Sequence, residues 1–152
     1  MSALGDILAA VVTKETTAAR TVGGSALTVV KRKLPKREEP VDAAYQVNVT
    51  GAEVPDSVTR IAFGSTYRVE YRVEITLIAP NDHDATTNQT AHEDWREAVR
   101  ADYMKPGPLA SVAAVKRVEI VPGALFDRSK LNEGYDYNQI TLAVWTYETR
   151  AS

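Results

Sequence analysis

The chain has 152 residues, 44% of them hydrophobic and 25% charged, which is enough to bury one real core and too apolar for a disordered chain. A net charge of -2 gives no general attraction to nucleic acid or anionic membranes, and the absence of cysteine excludes disulfides, thiolate catalysis and thiolate zinc sites. No stretch reaches the roughly 18 to 20 apolar residues of a membrane span.

Ser2 is placed to cap a short helix in which Leu4, Ile7, Leu8, Val11 and Val12 recur at helical spacing and Asp6 sits in the favourable first turn. The segment from Ala3 to Val12 carries that acid and lacks a basic start, so it does not read as a signal peptide. The helix is expected to fade among Thr13, Thr16 and Thr17, before Gly23 and Gly24. An arm or first strand follows from Ala26 to Leu34. It carries the basic run Lys31, Arg32, Lys33, Lys36 and Arg37, then Glu38 and Glu39. Two readings suit this run: a solvated hairpin tip, or a loop that grips a partner protein or faces passing nucleic acid.

Asp42 to Thr50 alternates as a strand that Gly51 and Pro55-Asp56 are expected to end, and Ser57 to Phe63 reads as a second short strand. From Thr66 the alternation is the clearest signal in the chain. Tyr67, Val69, Tyr71, Val73, Ile75 and Leu77 fall on one face of a strand, and Arg68, Glu70, Arg72, Glu74 and Thr76 on the other. Such a strand runs roughly 40 Å, about twice the usual length. Its charged row suits pairing with neighbouring strands or with another subunit. Together these pieces predict an antiparallel meander.

After a polar loop, Thr90-Ala91-His92-Glu93 has the form of a capping box, and a helix is predicted from Ala91 to about Met104. Its buried face is expected to hold Trp95, Ala98, Val99 and Asp102 or Tyr103, and Lys105-Pro106-Gly107-Pro108 stops it. Val112 to Val121 is strand-like. The closing strand, Tyr135 to Arg150, puts Ile140, Leu142 and Val144 on one face and Tyr137, Trp145 and Tyr147 on the other, the pattern of a central strand or one covered by another subunit.

The order predicts a single α+β domain over residues 1–152. A single antiparallel or mixed β-sheet with one long strand is packed by one main helix plus a short N-terminal helix, and the basic arm at about 26–44 extends from the body.

Catalytic chemistry finds little support. Asp82-His83-Asp84 with His92-Glu93 is the best metal candidate, but the spacing matches no zinc motif and turn or helix capping explains these residues better. There is no Gly-x-Ser-x-Gly elbow and no phosphate-gripping Walker loop. Glu70, Glu74 and Asp102 are the carboxylates available for an acid-base pair, but charged outer rows on strands are ordinarily solvent faces. Tyr67, Tyr71, Trp95, Trp145 and Tyr147 are not interleaved with a basic stripe, so packing suits them better than stacking on single strands. No enzyme activity and no cofactor are expected.

The arrangement resembles the tail terminator, or tail completion, proteins of long-tailed bacteriophages. The likeness rests on the helix Leu4 to Val12, the basic hairpin region, the long strand Thr66 to Ile78, the helix Thr90 to Met104 and the last strand from Tyr135 through Glu148. It implies a virion structural protein, assembled in the bacterial host cytoplasm, that forms a hexameric ring capping the tail tube. Its implied partners are copies of itself, the tail tube protein and the head-completion or stopper protein. DNA is met only as it passes through the lumen, with no membrane and no small-molecule substrate.

The candidate contact residues are Lys31, Arg32, Lys33, Lys36 and Arg37 of the basic run, Arg68, Glu70, Arg72 and Glu74 of the long strand, and Trp145 and Tyr147 of the closing strand. A head-tail connector, stopper or tube protein shares this size and texture. A soluble bacterial binding module or an undetected hydrolase is the reading from a different class.

Overall fold

A computed structural model of the chain describes residues 3–22, 25–31, 45–54, 58–60, 65–80, 89–121 and 135–149. Helix α1 spans Ala3–Ala18 and helix α2 spans Gln89–Met104. The strands are β1 Thr21–Val22, β2 Ser25–Lys31, β3 Tyr45–Glu53, β4 Thr59–Arg60, β5 Thr66–Pro80, β6 Val115–Val121 and β7 Tyr135–Thr149. They form a 7-stranded sheet in the order β1-β2-β3-β5-β7-β6, with β4 alongside β5. This is the predicted α+β class.

The sheet is built around the pairing of β5 with β7, two 15-residue strands in unbroken antiparallel register from Thr66 opposite Thr149 to Pro80 opposite Tyr135. Their hydrophobic alternations are in phase, so Tyr71 meets Val144, Val73 meets Leu142 and Ile75 meets Ile140 on one face. Val47 and Val49 of β3 continue that face opposite Leu77 and Ile75. A slip of one residue would turn every one of these side chains toward the polar side, which is what fixes the register. Both helices pack on this face: α1 against β2 and β3, and α2 against β6, β7 and β1. The core they close includes Ile7 and Val11 of α1, Val22 of β1, the apolar rows of β5 and β7, and Trp95, Val99 and Tyr103 of α2.

Several local expectations change. Strand β2 pairs with β3 in parallel, Leu27 opposite Tyr45 through Lys31 opposite Val49, so the strands flanking the basic run are not the arms of a hairpin and the meander is broken at this seam. Strand β3 does not end at Gly51 but runs through it to Glu53, because α1 crosses the sheet there: a Cβ on Gly51 would lie 2.9 Å from Leu8 Cδ2 and 3.2 Å from the Arg72 carbonyl oxygen. The glycine supplies room for a helix.

Helix α1 runs through Thr13, Thr16 and Thr17, where fading is expected, and ends at Ala18, because its buried stripe continues beyond Val12. Ile7, Leu8 and Val11 are followed at the next buried position by Glu15. Ala19, at φ 48°, then ends it, its N–H bonding the Thr16 carbonyl at 3.2 Å.

Helix α2 begins at Gln89, which puts Thr90 inside the first turn instead of at the cap. Its buried side chains are His92, Trp95, Arg96, Val99 and Tyr103, while Ala98 is exposed. Val112 to Ala114 form turns ahead of β6. Of the segment Ser57 to Phe63, only Thr59–Arg60 is strand among the described residues.

Candidate interaction surface

The face of the sheet away from the helices carries the charged row predicted for β5, and the registers show what lies beside it. Arg68 sits opposite Tyr147, Glu70 opposite Trp145 and Arg72 opposite Ala143 on β7. On β6, Arg117 lies opposite Trp145 and Glu119 opposite Ala143. Strands β5, β6 and β7 thus bring Arg68, Glu70, Arg72, Glu74, Trp145 and Tyr147 onto one surface, and add Arg117 and Glu119.

The charges on this surface are settled largely within strands. Arg72 Nε bonds Glu70 Oε2 at 2.6 Å, and Arg117 pairs with Glu119 two positions on. Glu74 Oε2 accepts from Thr50 Oγ1 at 3.3 Å and from Gln139 Nε2 at 3.2 Å. The Arg117 guanidinium stacks 5.1 Å from the Trp145 ring, covering part of an indole that would otherwise meet water. Tyr147 stays 46% exposed, and Arg68 is exposed beside it.

At the opposite end the row is not a solvent face. Thr76 and Ile78 are buried, and so is Ala143 in the middle of β7. The Thr76 hydroxyl accepts from Gln139 Nε2 at 3.1 Å, which satisfies it inside the sheet. Lys31 is the last residue of β2. Arg32, Lys33, Lys36 and Arg37 lie outside the described residues, as do Asp82, His83 and Asp84.

A second constellation, not foreseen from the sequence, joins the two helices on the other side of the sheet. Arg20, just after α1, bonds Glu15 through Nε at 3.1 Å and Nη2 at 3.4 Å, and its Nη2 also reaches Asp102 of α2. Tyr103 donates its hydroxyl hydrogen to Glu15, Lys105 bonds Asp102 at 3.2 Å, and the Lys14 ammonium lies 5.6 Å from the Tyr103 ring centre.

Burial, and next to it the Glu15 carboxylate, holds the Tyr103 phenol far above its ordinary value, so it remains a donor. Burial works against the charge on Arg20, yet the hydrogen bonds to Glu15 and Asp102 outweigh it and raise its pKa. The hydrogen bond from Arg20 lowers that of Asp102. Each acid in this group is matched by donors, so it reads as a clamp between helices and not as reactive chemistry. The trace it leaves in the sequence is the four-residue spacing of Ile7, Val11 and Glu15, which sets a carboxylate in line with apolar residues.

His92 is fully buried on α2 and burial lowers its pKa, while its neighbour Glu93 is exposed. Among the described residues no group of three or more His, Asp or Glu is placed to hold a metal ion, and no helix is long and apolar enough to cross a membrane. An open groove of about 980 Å³ runs between α1 and residues 107–114, with small side chains such as Ala9, Ala10 and Ala113 along it and Tyr147 at its margin.

In comparisons with known proteins, no family model and no curated sequence matches this chain.

Proposed function

We propose that this chain is a structural protein of a phage virion: a ring, hexameric in the reading that the sequence likeness supports, that caps the tail tube and joins it to the head-completion proteins. One observation carries the reading. The ladder of β5 and β7 is closed by helices on one face, while the other presents Arg68, Trp145, Tyr147 and Arg117 with no described helix over them. Tryptophan, tyrosine and arginine are the residues that dominate protein contacts, because they bury much area at low entropic cost and keep a polar handle.

The charge balance supports a protein partner over DNA. Glu70 offsets Arg72 and Glu119 offsets Arg117, so among the described residues this face carries no basic stripe to collect phosphates. The basic run at Lys31 to Arg37 is the exception, and in this reading it meets an acidic surface on the next subunit or on the tube protein.

Rings of this kind use heterologous contacts that close by rotation. Native mass spectrometry and negative-stain imaging of the purified protein at tens of micromolar, alone and with tail tubes, test the proposal. Closed rings, or a cap on tube ends, are expected. A protein that stays monomeric in both settings and is missing from virions ends this reading.

A further inference from the structure

The sheet has two open edges among the described residues, and they match each other. One is β6, which pairs only with β7. The other is the length of β2 from Leu27 to Lys31, beyond the short pairing of β1 with Ser25 and Ala26. An open edge carries a row of unpaired N–H and C=O groups and is a template for another strand.

Three features make the edges complementary. The first is direction. Strand β6 runs opposite to β7, and β7 opposite to β5, so β6 runs with β5; β3 runs opposite to β5, and β2 runs with β3. Strands β6 and β2 therefore point in opposite senses. In copies related by rotation about an axis along the strands, β6 of one copy meets β2 of the next antiparallel, the commoner and slightly more stable pairing.

The second feature is polarity. Leu27 and Val29 on β2, and Val118 and Ile120 on β6, lie on the helix-bearing face, and all four are only half-buried. Thr28 on β2, and Arg117 and Glu119 on β6, lie on the opposite face and are exposed. Joining the edges through these residues sets apolar beside apolar on one face and polar beside charged on the other, with Val121 at the end of β6 an apolar exception on the polar face.

The third is sidedness. The two edges are different surfaces of one chain, so their contact is head-to-tail and propagates around a ring instead of stopping at a dimer.

We infer that successive copies of this chain join edge to edge, β6 of one onto β2 of the next, so that the sheet continues from subunit to subunit. This rests on the ring reading above and gives it a specific joint. It leaves Arg68, Trp145 and Tyr147 for the contact with the tube or the head-completion protein.

Because the chain has no cysteine, any introduced thiols are the only ones present. The test is a pair of double variants, Thr28→Cys with Glu119→Cys and Thr28→Cys with Arg117→Cys, which sample two registers at exposed sites on the same face. Oxidation of the assembled protein should give covalent multimers on a denaturing gel for one pair, and none for the single variants, since directly opposed residues of an antiparallel pair come close to disulfide distance. In the unaltered protein, hydrogen exchange of the β2 and β6 amides should slow at least about tenfold on assembly. Rings without cross-links in either pair and with unchanged exchange at both edges overturn the joint while the ring reading stands. A monomer by native mass spectrometry overturns both.

Discussion

Tyr103 and Glu15, 88 residues apart in the chain, tie the last turn of α2 to α1, the Tyr103 hydroxyl donating to Glu15 Oε2 at 3.0 Å. Glu15 is a carboxylate on the buried stripe of α1, and its side chain is only 2% exposed. Arg20 and Tyr103 are what make that burial tolerable. Removing Arg20 strands the charge, so Arg20→Ala should destabilise the fold by roughly 3–5 kcal/mol. Tyr103→Phe removes one hydrogen bond to a charged acceptor and should cost about 1.5–3 kcal/mol. Urea unfolding of both variants checks the order. Equal, near-zero losses would mean that the clamp does not hold the helices.

Gly51 gives the second prediction. Its missing Cβ is what lets α1 cross β3, with Leu4 and Leu8 over the gap. Gly51→Val forces either the helix or the strand to shift and should cost roughly 1–3 kcal/mol. Ala52→Val, one residue on at an exposed position of the same strand, is the control and should be nearly neutral. Thermal melts of the pair separate crowding from strand propensity. Similar midpoints for the two variants would count against the crossing.

These residues also mark what the sequence could and could not reveal. Strands β5 and β7 and helix α2 were legible because each has one face sealed by apolar neighbours, and that leaves a period in the side chains. The period is the same for parallel and antiparallel pairing, so the parallel seam between β2 and β3 left no local trace. Gly51 looked like a terminator because a glycine that makes room for a packed helix and a glycine that turns the chain are the same letter. The buried face of α1 was lost at Glu15, since a carboxylate satisfied by distant partners breaks the apolar stripe. On the interaction surface the row Arg68 to Glu74 followed from alternation, as did Trp145 and Tyr147. The in-strand pairing of Glu70 with Arg72 and the cover of Trp145 by Arg117 depend on register, which alternation alone does not set.

His92 predicts a pH dependence. Its folded pKa lies below the ordinary 6.5 because burial disfavours the imidazolium. Above that value both folded and unfolded chains hold it neutral, and its full contribution is present. As the pH falls from there through the lowered folded pKa, the unfolded chain takes up a proton first, so stability drops across that window and then levels. Urea midpoints from pH 8 down to pH 5 should show the decline (roughly the range in which histidine titrates), and His92→Gln should flatten it. An unchanged slope in that variant would assign the effect to other groups.

Trp95 should matter far more to the monomer than the exposed charges do. It is 2% exposed in the shared core, and its indole N–H is buried without a hydrogen-bond partner among the described residues. Trp95→Ala should cost roughly 3–5 kcal/mol. Trp95→Phe should cost less, because it keeps most of the ring and removes the uncompensated donor. Arg68→Ala should stay within about 0.5 kcal/mol of the parent. Denaturant melts of the three settle the order, and a Trp95→Ala midpoint equal to that of Arg68→Ala would show that α2 does not seal the core.

The last prediction concerns the basic run. Lys31, Arg32, Lys33, Lys36 and Arg37 put five cations within seven residues of a chain whose net charge is -2. Like charges this close repel, so folding alone gives no reason to gather them, and a contact with an acidic partner surface does. Reversing three of them, with Lys33→Glu, Lys36→Glu and Arg37→Glu together, should leave the thermal midpoint almost unchanged while weakening ring formation or attachment to the tail tube. The loss should be larger at low salt, where the Debye length is about 30 Å at 0.01 M, than at physiological ionic strength, where it is about 8 Å. Light scattering of the variant and its parent across that range measures assembly, and circular dichroism measures folding. Normal assembly and tube attachment at both salt levels would reduce the run to a solvated stretch of surface. A lowered thermal midpoint would instead place these cations in the fold's own stability.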